Sequence, residues 1–182
     1  MSYTDEILQF NRQFVAEQKY EPYLTTKYPN KHIAVLSCMD TRLTELLPAA
    51  LNCKNGDIKI IKNAGGVISH PFGSVVRSLL VAIYELDVHE ILVIGHYDCG
   101  MQNTGPTEMI EKMKQRGIQQ QEIDFIRYCG IDLDRWLQGF ADPRESVQAS
   151  VDILRMHPLI PKDVLITGFV MDPATGRLDP LD

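Results

Sequence analysis

The chain has 182 residues, enough for one domain to bury a core without disulfide or metal staples. Hydrophobic residues make up 45% of it, an ordinary globular share, and 18 basic against 24 acidic residues give a formal net charge of -6. With no Lys/Arg-rich block, the composition argues against a nucleic-acid partner, whose phosphates demand positive potential.

The N-terminus, MSYTDEILQFNRQF, is polar and acidic and lacks the basic start and apolar run of a secretory leader. No apolar stretch approaches the length needed to span a bilayer, so a cytoplasmic protein is expected. Within the first thirty residues Ile7, Leu8, Phe10 and Phe14 form a partial apolar stripe, followed by Tyr20, Tyr23 and Tyr28. Such a segment is either a helix packed on its own domain or an arm laid on a second subunit. Four segments then read as buried strands: HIAVLSC (32–38), IKIIKNAG (58–65), EILVIGH (90–96) and DVLITGFV (163–170). Three are near-continuous apolar runs, as in parallel strands covered on both faces, while IKIIK alternates and reads as less covered. Helical spacing lies between them. LTELLPAAL is a short helix limited by Pro48. Val75, Val76, Leu79, Leu80, Ile83 and Leu86 make an apolar stripe, with Pro71 near its start. TEMIEKMKQR is helical, and PRESVQASVDILRMH starts with Asp142 as N-cap and Pro143 in the first turn. MDPATGRL reads as a turn, with a hairpin back to the sheet as an option. Alternating strands and helices predict an α/β fold, an open and mostly parallel β-sheet flanked by helices, in one domain spanning 1–182.

Two clusters carry chemistry. SCMDTR (37–42) ends the first strand, placing Cys38, Asp40 and Arg42 two residues apart. By itself this could be a nucleophile beside an ion pair, a metal ligand or a packing accident. GHYDCGM (95–101) ends the third strand, with His96 and Cys99 close enough for both to bind one metal, and with glycines at 95 and 100 to let the backbone bend. An H-x-x-C or a C-x-D-x-R alone is weak: a lone histidine is more often a satisfied core residue, and a lone cysteine a small buried hydrophobe. Their conjunction at the C-terminal ends of parallel strands, the edge where open α/β sheets build sites, is much stronger. Two thiolates and one imidazole are the protein ligand count of a catalytic zinc site with its fourth position open.

CMDTR, then NAGG, then GHYDCGM resembles the β-class carbonic anhydrases, particularly their small members, from about residue 30 to the C-terminal strand. The resemblance implies one Zn2+ per chain held by Cys38, His96 and Cys99, and reversible hydration of carbon dioxide to bicarbonate and a proton. It implies that Asp40 and Arg42 form a carboxylate–guanidinium dyad. Ionised Asp40 would accept a hydrogen bond from the water that zinc activates, and Arg42 would hold it in place. Two thiolate ligands temper the acidification of that water, so activity should rise toward alkaline pH. In some relatives the matching aspartate leaves its arginine and closes the metal site, and Asp40 is expected to do so near neutral pH. KNAGG resembles the family's glycine-rich turn, with Lys62 where arginine is frequent and no catalytic role assigned to it. Residues 1–30 correspond to a dimerisation arm, implying a homodimer or higher homo-oligomer, with neither nucleic acid nor membrane as partner.

Two rival enzyme classes fail on spacing. A thiol phosphatase needs arginine six positions after its cysteine, where Thr44 and Gly105 stand, and a dinucleotide fold needs G-x-G-x-x-G after the first strand. Two alternatives survive: a CS2/COS hydrolase using the same zinc chemistry, and an inactive zinc-bound scaffold, which would have no need of Arg42. Elsewhere bland readings prevail. Asp98 is a solvated turn residue, Tyr97 lines the pocket or packs on a neighbour, and Cys53 and Cys129 are structural or surface thiols. His32, His89 and His157 make ordinary polar contacts at element ends. No residue stands out as a proton shuttle; His70 is a candidate, with solvent buffer as the alternative.

Overall fold

The computed structural model describes residues 2–181; Met1 of the expected arm and Asp182 of the expected domain lie outside them. Five strands, β1 (Ile33–Cys38), β2 (Ile58–Asn63), β3 (Glu90–His96), β4 (Leu165–Met171) and β5 (Leu178–Pro180), form one sheet in the order β2-β1-β3-β4-β5. β2, β1, β3 and β4 run parallel, and β5 returns antiparallel on β4. The four apolar runs are thus the parallel strands, and MDPATGRL is the hairpin that adds β5. Chain order reverses between β1 and β3, since the chain leaves β1 toward β2 and comes back on the other side. A crevice opens at the carboxyl ends of two strands that diverge in this way.

The helices among the described residues are α1 (Tyr3–Ala16), α2 (Leu43–Ala50), α3 (Ser74–Leu86), α4 (Pro106–Gln115), α5 (Gln120–Tyr128), α6 (Leu133–Leu137) and α7 (Pro143–Met156). α3 starts three residues after Pro71, because a turn closed by Gly73 N–H on the His70 carbonyl uses up the intervening chain. α7 is capped as expected, the Asp142 carboxylate accepting from Arg144 N–H with Pro143 in the first turn. None of these helices is long and apolar enough to cross a membrane.

β1 and β3 are buried on both faces. Ala34, Leu36, Ile91 and Val93 pack toward α3 and α7, with Val76, Leu79, Val147, Val151 and Leu154. Val35 and Ile94 pack on the other side against Leu43 and Leu47 of α2. Each fully buried Leu or Ile contributes about 1.5–3 kcal/mol over an exposed one. β2, at the sheet edge, is only partly buried, as its alternation suggested. Gly95 has a different part from the turn expected of it. It lies inside β3, where an added Cβ would come 2.6 Å from the Val147 side chain, so its lack of a side chain lets α7 approach the sheet.

Candidate metal centre

Cys38 ends β1 and His96 ends the neighbouring β3, and a three-residue turn brings Cys99 back beside them. Asp98 makes that turn in the left-handed region, at φ 53. All three side chains are buried, with Cys38 and Cys99 5% and His96 1% exposed. The Cys38 and Cys99 Sγ atoms are 3.8 Å apart. That is far beyond a disulfide bond, and it matches the edge of about 3.8 Å expected for two thiolates sharing a tetrahedral zinc with Zn–S of about 2.3 Å. His96 Nδ1 lies 2.8 Å from the Tyr97 carbonyl, which fixes the ring and directs Nε2 toward the sulfurs. Nε2 is buried without a hydrogen-bond partner, the only such side-chain atom among the described residues. An orphaned imidazole nitrogen facing two sulfurs is the donor set of a Cys2His metal site, and the residues present could hold one ion.

The electrostatics favour a cation there. The hydrogen bond from Cys99 outweighs burial, and with His96 and the N–H groups of Asp40 and Gly65 it pulls the Cys38 thiol well below its ordinary range. The same contact pushes the Cys99 thiol up, because two thiolates cannot both be negative at this separation without a positive partner. Burial alone would lower His96, but Cys38 and the Tyr97 carbonyl reverse this and raise it.

The approach of the glycine-rich turn makes the geometry possible. Gly65 and Gly66 both take positive φ, at 87 and 66. A Cβ on Gly66 would stand 3.0 Å from the backbone nitrogen of Cys38, and one on Gly65 would press on the Phe140 ring. The loop therefore lies directly on the strand end, closed by Met39 N–H on the Asn63 carbonyl. Lys62 is half-buried, donates to the Leu43 carbonyl and ties β2 to α2, and burial lowers its pKa.

Asp40 and Arg42 stand at the mouth of this cluster. Arg42 donates through Nε at 3.0 Å and a terminal nitrogen at 2.8 Å to the two oxygens of Asp40, and the Arg42 backbone N–H adds a third bond. The guanidinium holds the Asp40 carboxyl down to about 2. Asp40 Oδ2 lies 3.8 Å from His96 Nε2, so the carboxylate edge faces the Cys38–His96–Cys99 cluster while bound to Arg42. In this arrangement Asp40 is paired with Arg42. Arg42 is also held from its other side, by the Asp98 carboxylate at 2.8 Å and the Asp98 carbonyl at 2.8 Å. Asp98, read from sequence as merely solvated, therefore belongs to the dyad's support. The left-handed backbone that turns it toward Arg42 has no signature beyond the tolerance of aspartate for that region.

The other readings divide. The Tyr97 hydroxyl donates to Asp179 on β5, and His157 is satisfied by the Pro71 carbonyl and Leu159 N–H. Cys53 is half-buried and Cys129 exposed, as expected for structural and surface thiols. His70 is exposed and accepts from Phe72 N–H, engaged with its own turn. His32 and His89, taken for ordinary polar residues, converge on Asp87 instead.

The family model described as carbonic anhydrase matches residues 33–178. A Bacillus subtilis (strain 168) relative named "Putative carbonic anhydrase YtiB" is 52% identical over 179 residues, 98% of this chain and 96% of its own. A protein of Acidianus sp. (strain A1-3) named carbon disulfide hydrolase is 33% identical over 161 residues, covering 82% of this chain and 76% of its own. Among solved structures, β-carbonic anhydrase isoform I of Trichomonas vaginalis superimposes with a TM-score of 0.88 at 37% identity, over 99% of this chain and 97% of that one.

Proposed function

The chain belongs to the β-carbonic anhydrase family, and on that premise we propose that it hydrates carbon dioxide reversibly to bicarbonate, with one zinc ion held by Cys38, His96 and Cys99. The observation that carries this reading is the orphaned Nε2 of His96, buried and facing two sulfurs whose separation suits one zinc. Zinc bound there would supply the Lewis acidity that makes water a nucleophile at neutral to alkaline pH. Asp40 can only accept hydrogen bonds when ionised, and its depressed pKa keeps it ionised throughout that range. Its Oδ2 edge can therefore take the proton side of a water and leave a lone pair facing the substrate. Arg42 fixes the carboxylate plane through bidentate contact, and Asp98 fixes Arg42. Met101 and Phe140 pack against the cluster from the loop side and offer an apolar wall suited to a linear, uncharged substrate.

Stopped-flow CO2 hydration by the zinc-loaded protein tests the reading. A rate that climbs from pH 6 to pH 9 supports it, and a zinc-replete protein with no CO2 turnover anywhere in that range overturns it. The relatives named carbon disulfide hydrolase favour one second reading, CS2 or COS hydrolysis at the same site. Turnover of CS2 measured beside CO2 decides between the two.

The chain also acts as a homodimer or larger homo-oligomer through residues 1–30. Among the described residues no side chain of α1 is fully buried, and Ile7 and Phe10 are 65% and 62% exposed on one helical face. A second copy covering this face is expected to be lost in an Ile7→Asp/Phe10→Asp variant, read as a halved mass by light scattering. An unchanged mass removes the arm from the interface.

A further inference from the structure

β1 and β3 carry a second convergent cluster at their opposite ends. Ile33 pairs with Glu90 in the parallel register, so the residues just before the strands, His32 and His89, are neighbours across the sheet's N-terminal edge. Their rings stand 5.4 Å apart, tilted by 40°. α3 ends one turn away on Asp87, in the left-handed region at φ 59, closed by Val88 N–H on the Ala82 carbonyl. That cap turns the Asp87 carboxylate between the two rings. Oδ2 lies 3.1 Å from His32 Nδ1, and Oδ1 lies 3.1 Å from His89 Nε2. The Asp87 carbonyl is also 2.8 Å from His32 Nδ1.

We propose that His32, Asp87 and His89 form a second cation site, separate from the buried centre, that binds a late first-row divalent ion such as Ni2+, Cu2+ or Zn2+. Two imidazoles and one carboxylate are the donor set these ions prefer, and one ligand atom from each residue lies within 4.8 Å of the others. Neighbouring ligand atoms about 2.1 Å from one metal stand about 2.9–3.4 Å apart, and the two nitrogen–oxygen separations of 3.1 Å fall in that interval. The side chains are 46%, 58% and 66% exposed, so the remaining coordination positions open to water or to a donor from another molecule. The backbone is already fixed. His89 and Glu90 N–H both donate to the His32 carbonyl, and Leu165 N–H donates to the His89 carbonyl, so a cation meets ligands held by the sheet itself. About six residues of β1 separate this cluster from Cys38, some 20 Å along an extended strand, and neither site shares a ligand with the other.

The test uses the zinc-loaded protein titrated with Ni2+ by calorimetry, with imidazole NMR followed in parallel. The expected result is one additional Ni2+ per chain, with paramagnetic broadening of the His32 and His89 ring signals ahead of His70 and His157. Asp87→Asn and His32→Asn keep residues that tolerate left-handed backbone, so the turns survive while a ligand is lost. Each of these, and His89→Ala, should weaken Ni2+ binding at least tenfold. Absence of Ni2+ uptake, or uptake that the His32→Asn/His89→Ala double variant leaves unchanged, overturns the proposal.

Discussion

The same two strands, β1 and β3, end in two triads of very different character. At their carboxyl ends Cys38, His96 and Cys99 are buried, and one nitrogen has no hydrogen-bond partner among the described residues. At their amino ends His32, Asp87 and His89 are exposed, and each ring has one nitrogen 3.1 Å from an Asp87 carboxylate oxygen. The difference teaches what burial adds to a set of ligands. A dry, orphaned site raises the cost of leaving the cluster unfilled and couples the ion to stability and catalysis. A wet, self-satisfied site gives up its internal contacts on binding and loses little when the ion leaves.

The sharpest way to break the comparison is to remove one side chain of the buried cluster. Cys99→Ala should abolish stoichiometric zinc by elemental analysis and reduce CO2 hydration to background. An ion present at about 1,000 times its Kd adds about 4 kcal/mol to folding, so stripping it should lower Tm by roughly 8–16 °C for a chain of this size. Retained zinc in Cys99→Ala would dissolve the proposed centre. Next in size is Asp40→Ala, which should keep its zinc and lose about 10²–10³ in kcat/KM, the scale of a positioned proton-handling group. Arg42→Lys, which cannot form the bidentate contact, should fall between that variant and the parent. Full activity in Asp40→Ala would remove the dyad from the mechanism.

Gly66→Ala should cost about 1–3 kcal/mol by chemical denaturation and weaken zinc retention, because it combines positive φ with a 3.0 Å approach to the Cys38 nitrogen. Asp57 offers a pH test at the other end of the sheet. Its carboxylate accepts from Lys54 N–H and the Asn30 side chain, and its carbonyl accepts from Lys31 N–H, which supports the entry to β1. The Lys54 N–H, ahead of Asn30, lowers its pKa, so its stabilisation is present above the ordinary carboxylate range and disappears as pH falls through the depressed value. The Tm gap between the parent and Asp57→Ala should therefore be full at pH 6 and shrink below pH 4; a gap independent of pH would mean the contribution is not ionic. The smallest effect is expected from His89→Ala, whose CO2 hydration should stay within about twofold of the parent while its Ni2+ binding falls.

Most of what positions the buried centre was legible in the residues. The apolar runs of β1, β3 and β4 and the Asp142–Pro143 start of α7 are local signals that agree with the tertiary outcome, and CMDTR and GHYDCGM lie at matching strand ends. α5 and α6 escaped because their apolar residues face neither the sheet nor its main core. Ile123, Leu133 and Leu137 close a small separate cluster with Ile110 of α4, and short segments of that kind carry little periodicity of their own. α1 shows the reverse: of the apolar stripe visible in the sequence, Ile7, Leu8 and Phe10 stay exposed among the described residues.

By itself the sequence determined the strands, the parallel α/β class and the residue types of the buried cluster, because hydrophobic periodicity and donor chemistry are properties of neighbouring residues. Only the tertiary structure decided which distant side chains meet. Asp98 reaches Arg42 across 56 positions, and His32 meets His89 across 57, because the β1–β3 register and two left-handed turns place them there. Register and the aim of a turn are settled by packing of the whole sheet, and no local stretch of residues encodes them.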